Sequence, residues 1–205
     1  MKKLSIILFI FLIGLAYHSA DAQKITVSDG DIAAFQGIEK LNVSYDFSDF
    51  AVGKFKKEQE YIDKKKKEYN EDEAGKGDSW EENWHADKEN VYEPKFEELF
   101  NIVMLSKGTG MQVGSFPDAE YTLILKTTFM EPGFNVGISS KNASINAEAY
   151  LVKTGEDANH LVTVKLTKVP GNGLFWGEYD AAKRIEQAYA TAGEKLAGYI
   201  AKKAY

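Results

Sequence analysis

The chain has 205 residues, with 25 Lys and Arg against 31 Asp and Glu and no cysteine. That acidic balance argues against nucleic acid or anionic lipid as the main partner, since both need clustered positive charge. The missing cysteines exclude disulfide staples and thiol chemistry, so the fold must stand on its core alone.

Lys2 and Lys3 precede an apolar run from Leu4 to Ala16, interrupted only by Ser5 and Gly14. A polar stretch then reaches Ala20-Asp21-Ala22, a small-residue cleavage site. The run is 13 residues, whereas a membrane-spanning helix needs about 20. Residues 1–22 therefore read as a signal peptide cleaved between Ala22 and Gln23, with an uncleaved anchor as the rival reading. Without a cysteine at the cleavage point, no lipid anchor is expected. The mature chain is expected to be periplasmic or secreted, soluble and free of membrane spans. Losing Lys2, Lys3 and Asp21 leaves 23 basic and 30 acidic side chains, a net charge of −7. Residues 23–205 are expected to form a single α+β domain, because a domain of about 150 residues already buries roughly two-thirds of its unfolded surface.

Ile25 and Val27 against Thr26 predict a short strand over Lys24 to Ser28, and Ile32 to Phe35 reads as a turn or short helix. Leu41, Val43, Tyr45 and Phe47 alternate with polar residues, which predicts a half-buried strand. A charged helical segment then occupies about 54–105. Phe55, Ile62 and Tyr69 recur every seven residues, with Tyr61 beside them, as the narrow apolar stripe of an amphipathic helix. Asn70 to Asp78 reads as a loop. Ser79-Trp80-Glu81-Glu82 has the spacing of a capping box and predicts a helix starting at Trp80. Pro94 should separate it from a second piece, in which Phe96, Leu99, Phe100 and Val103 form one face. Gly108 and Gly110 end the helical region.

Three strands follow, over Tyr121 to Met130, Ile145 to Leu151 and Val162 to Leu166, with connections that suit an antiparallel meander. The last helix runs from Asp180, its N-cap, to about Lys203, with Ile185, Tyr189, Ala192, Leu196, Tyr199 and Ile200 as its apolar face. The expected fold class is thus α+β, a mainly antiparallel sheet covered on one side by helices in a two-layer sandwich.

No motif fixes a chemistry. Glu81 and His85 lie four apart on a predicted helix but lack a third metal ligand. Gly171-Asn172-Gly173 is no phosphate loop, the loop Glu71 to Asp78 lacks calcium-site spacing, and no Gly-x-Ser-x-Gly elbow exists. No metal site and no cofactor are expected. Lys54 to Lys67 holds seven lysines, while Glu71 to Glu98 holds eleven acids and three lysines. These runs are read as two solvated helix faces that attract one another, ahead of a bipolar docking surface. The aromatics stand out more. Trp80 and Trp84 sit on one helix face, and Phe175 and Trp176 lie in a Gly-rich loop flanked by Gly173 and Gly177. All four are candidate partner-binding residues, since binding hot spots favour Trp and Tyr; the plain alternative is that the tryptophans complete the core.

The segment from Ala119-Glu120-Tyr121-Thr122-Leu123-Ile124-Leu125 through the meander to the terminal helix resembles small periplasmic accessory proteins of the bacterial envelope, with Glu120 where Asp is more usual. Phe129 to Gly137 and Glu93 to Phe100 likewise resemble segments of uncharacterised exported proteins of Gram-negative bacteria. The resemblance covers about the last 90 residues. It implies compartment and architecture and brings no catalytic residue. The leading expectation is a non-enzymatic exported envelope protein that binds a protein or other partner. The alternatives are an exported hydrolase with a carboxylate-based site and a small-molecule carrier.

Overall fold

The computed structural model describes residues 23–136, 139–171 and 180–205. The expected signal peptide, and the loop containing Phe175 and Trp176, lie outside the described residues. Along the chain come β1 (Lys24–Gly30), a 3₁₀ turn (Ile32–Phe35), β2 (Lys40–Asp46) and β3 (Ala51–Val52). The helical segment comprises α1 (Glu58–Asp72), α2 (Lys76–Asp87), a π-turn (Lys88–Tyr92) and α3 (Glu93–Lys107). Then follow β4 (Gln112–Gly114), β5 (Tyr121–Glu131), β6 (Phe134–Asn135), β7 (Ser140–Lys141), β8 (Ser144–Lys153), β9 (His160–Pro170) and α4 (Ala181–Lys203).

The main sheet has the order β1-β9-β8-β5-β2-β4, and β3 extends the β2 side of β5. The meander β5-β8-β9 is antiparallel, as the short connections require, and β1 adds to it antiparallel. The other half departs from the expected antiparallel sheet. β2 runs parallel to both β4 and β5, and β3 runs parallel to β5, so the sheet is mixed. The cause lies in the connection: β2 and β5 are joined through the whole helical segment, and only such a long crossover can return a strand in the same direction. The fold is α+β.

Alternation fixes the register. Leu123 and Leu125, Ala147, Ala149 and Leu151, and Val162, Val164 and Leu166 are all buried. On the opposite face, Asp46, Lys126, Glu148 and Lys165 are direct cross-strand neighbours and alternate in sign. Lys126 pairs with Asp46 at 3.3 Å and Lys165 with Glu148 at 3.1 Å. A one-residue slip would drive this row into the core, which is why the pairing is unique.

α4 lies against β9, β8 and β1, and α3 lies along α4. The apolar stripe expected of α4 is buried at Ile185, Tyr189, Ala192, Leu196 and Ile200, and Asp180 caps the helix by accepting the Ala182 N–H at 2.9 Å. The buried face of α3 is Phe96, Phe100 and Met104, one step round from the expected Leu99 and Val103. The two helices meet backbone to backbone at Gly193, where a Cβ would stand 2.2 Å from the Phe96 carbonyl oxygen.

The helical segment differs from expectation at two joints. α2 begins at Lys76, so Ser79 lies inside the helix and caps nothing. The cap comes from α1 instead: the Asn70 Oδ1 accepts the Gly77 N–H at 2.7 Å. This shortens the expected loop Asn70–Asp78 to a tight turn between two antiparallel helices. At Pro94 the helix does not break; the π-turn widens the spiral just before the proline, which occupies the first turn of α3 where no N–H is needed.

Gly193→Ala should destabilise residues 23–205 by about 1–3 kcal/mol, the usual cost of overpacking. Urea unfolding followed by circular dichroism measures this; an unchanged midpoint would mean that α3 and α4 can slide apart freely.

Candidate functional site

Tyr61, Lys65 and Tyr69 follow one another at four-residue spacing on α1, and Trp80, Asn83, Trp84 and Asp87 share one face of α2. The antiparallel hairpin brings the two stripes together. It can close tightly because Gly77 has no side chain: a Cβ there would lie 2.1 Å from the Lys66 carbonyl oxygen. The aromatic rings then pack on each other, with centroids 5.1 Å apart for Tyr61–Trp84, 5.5 Å for Trp80–Trp84, 5.7 Å for Tyr69–Trp80 and 5.9 Å for Tyr61–Trp80.

The two tryptophans have different fates. Trp84 is 4 % exposed and belongs to the core. Its Nε1–H donates to Glu58 Oε1 at 2.6 Å, and Glu58 pairs with Lys88 at 2.8 Å. The Lys88 ammonium sits over the rings of Phe47 and Phe50. For Trp84 the plain alternative, completion of the core, is what the packing gives, although its edge reaches the cavity. Trp80 is half-buried and packs its inner face on that core. The structure brings these two sequence-chosen residues together; the other two, Phe175 and Trp176, lie outside the described residues.

Both stripes line a cavity of about 480 Å³. Its second wall is the turn after β5, with Gly133, Phe134, Asn135 and Val136, and its third is the start of α4, with Asp180 and Arg184. Phe134 and Val136 are exposed there, at 42 % and 67 %. The lining is thus aromatic and polar together. Asp87 and Asp180 both contribute to it. Burial, and next the negative charge of Asp180, hold the Asp87 carboxyl above the usual range, partly offset by Lys183. Behind this wall the Tyr92 hydroxyl is buried without a hydrogen-bond partner among the described residues. Burial and the charges of Asp87, Tyr189 and Asp180 resist its ionisation.

Tyr61 and Tyr69 were expected only as part of the apolar stripe of α1, and Asn83, Asp87 and Arg184 were not expected at a site. Helical spacing from Trp80 points to Asn83 and Asp87, and Tyr61 and Tyr69 share one stripe of α1, but the wall that completes the cavity comes from the turn after β5 and from α4, far along the chain.

The other sequence features resolve into structure. Glu81 accepts from Lys66 at 2.8 Å, and Lys66 also pairs with Asp78 at 2.8 Å. With Lys88–Glu58, these pairs cross between the lysine run and the acidic run. No group of three or more His, Cys, Asp or Glu among the described residues is arranged to hold a metal. No helix among them is long and apolar enough to cross a membrane.

From the π-turn into α3, Glu89, Glu93 and Glu97 repeat every four residues. The Tyr45 hydroxyl donates to the Glu93 carbonyl and to Glu97 Oε1, both at 3.1 Å. Burial, then Glu89 and Glu97, push the Glu93 carboxyl up to about 7 from 4.5. A raised carboxyl favours the folded state when protonated, so this contribution is complete below about pH 4.5 and is lost as pH rises to about 7. Glu93→Gln should therefore raise the melting temperature above pH 7 and change it little near pH 4.5. Thermal melts across that range measure the effect; an equal shift at both ends would assign it to packing instead.

The sequence matches no family model and no curated protein. Among solved structures, the chain is similar to the PelC dodecamer from Paraburkholderia phytofirmans, at 11 % identity and a TM-score of 0.38 over 85 % of this chain and 97 % of that one. A single-substitution variant of the same PelC dodecamer in a second crystal form gives 12 % identity and a TM-score of 0.34 over 83 % and 97 %. These likenesses are distant, and the chemistry of the groove rests on its own residues.

Proposed function

We propose that this chain is a non-enzymatic envelope protein that binds a ligand or a partner's side chains in the groove between the α1–α2 hairpin, the turn after β5 and the start of α4. It is exported by the segment 1–22, cleaved between Ala22 and Gln23, and works as a soluble periplasmic or secreted protein. Its layout is a two-layer one, with α3 and α4 on the apolar side of the sheet and the alternating charge row on the other. One observation carries the reading: Trp80, half-buried, shares a cavity of about 480 Å³ with Tyr61, Tyr69, Asn83, Asp87 and Arg184. Binding pockets combine apolar and aromatic surface with a few convergent polar groups in this way, and volumes of roughly 300–1,000 Å³ are usual.

The carboxylate-based hydrolase has one observation in its favour, since Asp87 and Asp180 line the same cavity and Asp87 is the harder to ionise. Against it, one Asp180 oxygen is committed to the Ala182 N–H as the cap of α4. The carrier reading needs a predominantly apolar cavity, and this lining is too polar for that.

Thermal melts of residues 23–205 against a panel of oligosaccharides, peptides and organic amines test the binding reading. A ligand at a hundred times its Kd adds about 2.7 kcal/mol, a rise of roughly 5–10 °C for a domain of this size. Trp80→Ala should abolish that rise while leaving a folded protein. Trp84→Ala should cost about 3–5 kcal/mol of stability with or without ligand. A panel in which nothing shifts, or a shift that survives Trp80→Ala, overturns the proposal; turnover of a glycoside that Asp87→Asn abolishes would install the hydrolase in its place.

A further inference from the structure

The charges around the groove are unevenly satisfied. Three cations stand at it or beside it, and each is engaged within the protein. Arg184 donates its Nε–H to the Pro132 carbonyl at 3.1 Å and a terminal N–H to the Gly133 carbonyl at 3.3 Å. Lys65 bonds to Glu68 at 3.2 Å and lies 5.5 Å from the centre of the Tyr69 ring. Lys183, next to the groove, pairs with Glu186 at 2.9 Å. Asp87 differs. Among the described residues it has neither an ion pair nor a side-chain hydrogen bond, and it shares the cavity with a second carboxylate, Asp180.

Three kinds of occupant can be compared on that ground. An anion would meet two carboxylates and the rings of Trp80, Tyr61 and Tyr69, and the cations in the lining, Lys65 and Arg184, are already engaged. A neutral molecule would gain the aromatic surface but leave Asp87 half-buried with little opposing charge beyond Lys183, which is itself paired to Glu186. A cation satisfies both features at once, because an ammonium is attracted to a carboxylate and to an aromatic face alike.

We infer that the groove is a site for an organic ammonium ion, with the charged nitrogen against Asp87 and the carbon skeleton on the Trp80 ring. This deepens the binding reading above and depends on it. The cation is small, a primary amine or a quaternary ammonium, in keeping with a cavity of about 480 Å³.

Calorimetric titration of residues 23–205 with choline, and with its uncharged isostere 3,3-dimethylbutan-1-ol, tests the inference. Choline should bind about tenfold more tightly than the isostere, the difference being the charge. Asp87→Asn should erase that advantage and leave the isostere's affinity unchanged; the variant keeps the shape of the side chain and removes a desolvated charge, so it should fold. Trp80→Leu should weaken both compounds. Equal affinities in the wild type, or choline binding that survives Asp87→Asn, would overturn the ammonium assignment. If both bind equally and both depend on Trp80, the groove still binds ligands and only the choice of a cation fails. If neither binds, the ammonium assignment falls, and the broader panel decides the groove by itself.

Discussion

The side chain of Tyr189 is where the helices, the sheet and the groove are tied together. It is fully buried on α4, and its hydroxyl shares a hydrogen bond of 2.6 Å with Thr127 of β5. Its ring stacks on Tyr92 of the π-turn at 5.2 Å with an interplanar angle of 2°, and touches Phe47 after β2. A polar atom buried in an apolar core is tolerable only when paired, so this bond fixes the height of α4 over the sheet. The stack fixes where the helical segment leaves the core. Asp180 at the start of α4 and Asp87 at the end of α2 reach one cavity because of that placement.

The α1–α2 hairpin is built on a different principle. Its helices are strongly charged, and Ile62, Gly77 and Trp84 are its buried residues. It holds together through close backbone approach at Gly77, through ring-on-ring packing and through lysines of one helix reaching acids of the other. Exposed pairs of that kind contribute little each. Trp84, Glu58 and Lys88 contribute more, since their side chains are screened from water and each polar atom has a partner. Lys66 ties the lysine run to Asp78 and Glu81 of the acidic run, while Lys64, Lys65 and Lys67 pair with acids of their own helix.

Much of this fold was legible because alternation and helical spacing are local. The strands around Leu41, Leu123, Ala149 and Val164, the 3₁₀ turn and the cap at Asp180 all follow from neighbours in the chain. What escaped was non-local. β3, β4, β6 and β7 have two or three residues each, too few for a period, and exist only because longer strands lie beside them. The parallel pairing of β2 depends on how the crossover closes, which no window of sequence contains. Ser79 has the spacing of a cap and does not act as one, because Asn70, nine residues earlier, already holds the Gly77 N–H. For the candidate site, Trp80 and Trp84 were visible as a pair, but not that one serves the core and the other faces the groove. That division is set by Glu58, which binds the indole of Trp84 from the neighbouring helix.

The Trp84 indole has a further consequence through its double position, bonded to Glu58 of the half-buried Glu58–Lys88 pair on one side and edging the cavity on the other. Anything that settles in the groove presses on the same rings that keep the hairpin closed, so occupancy and local unfolding draw on one equilibrium. Exposed to a protease, the empty protein would offer its hairpin for cleavage more often than the filled one does. The lifetime of the hairpin would then follow the occupancy of the groove.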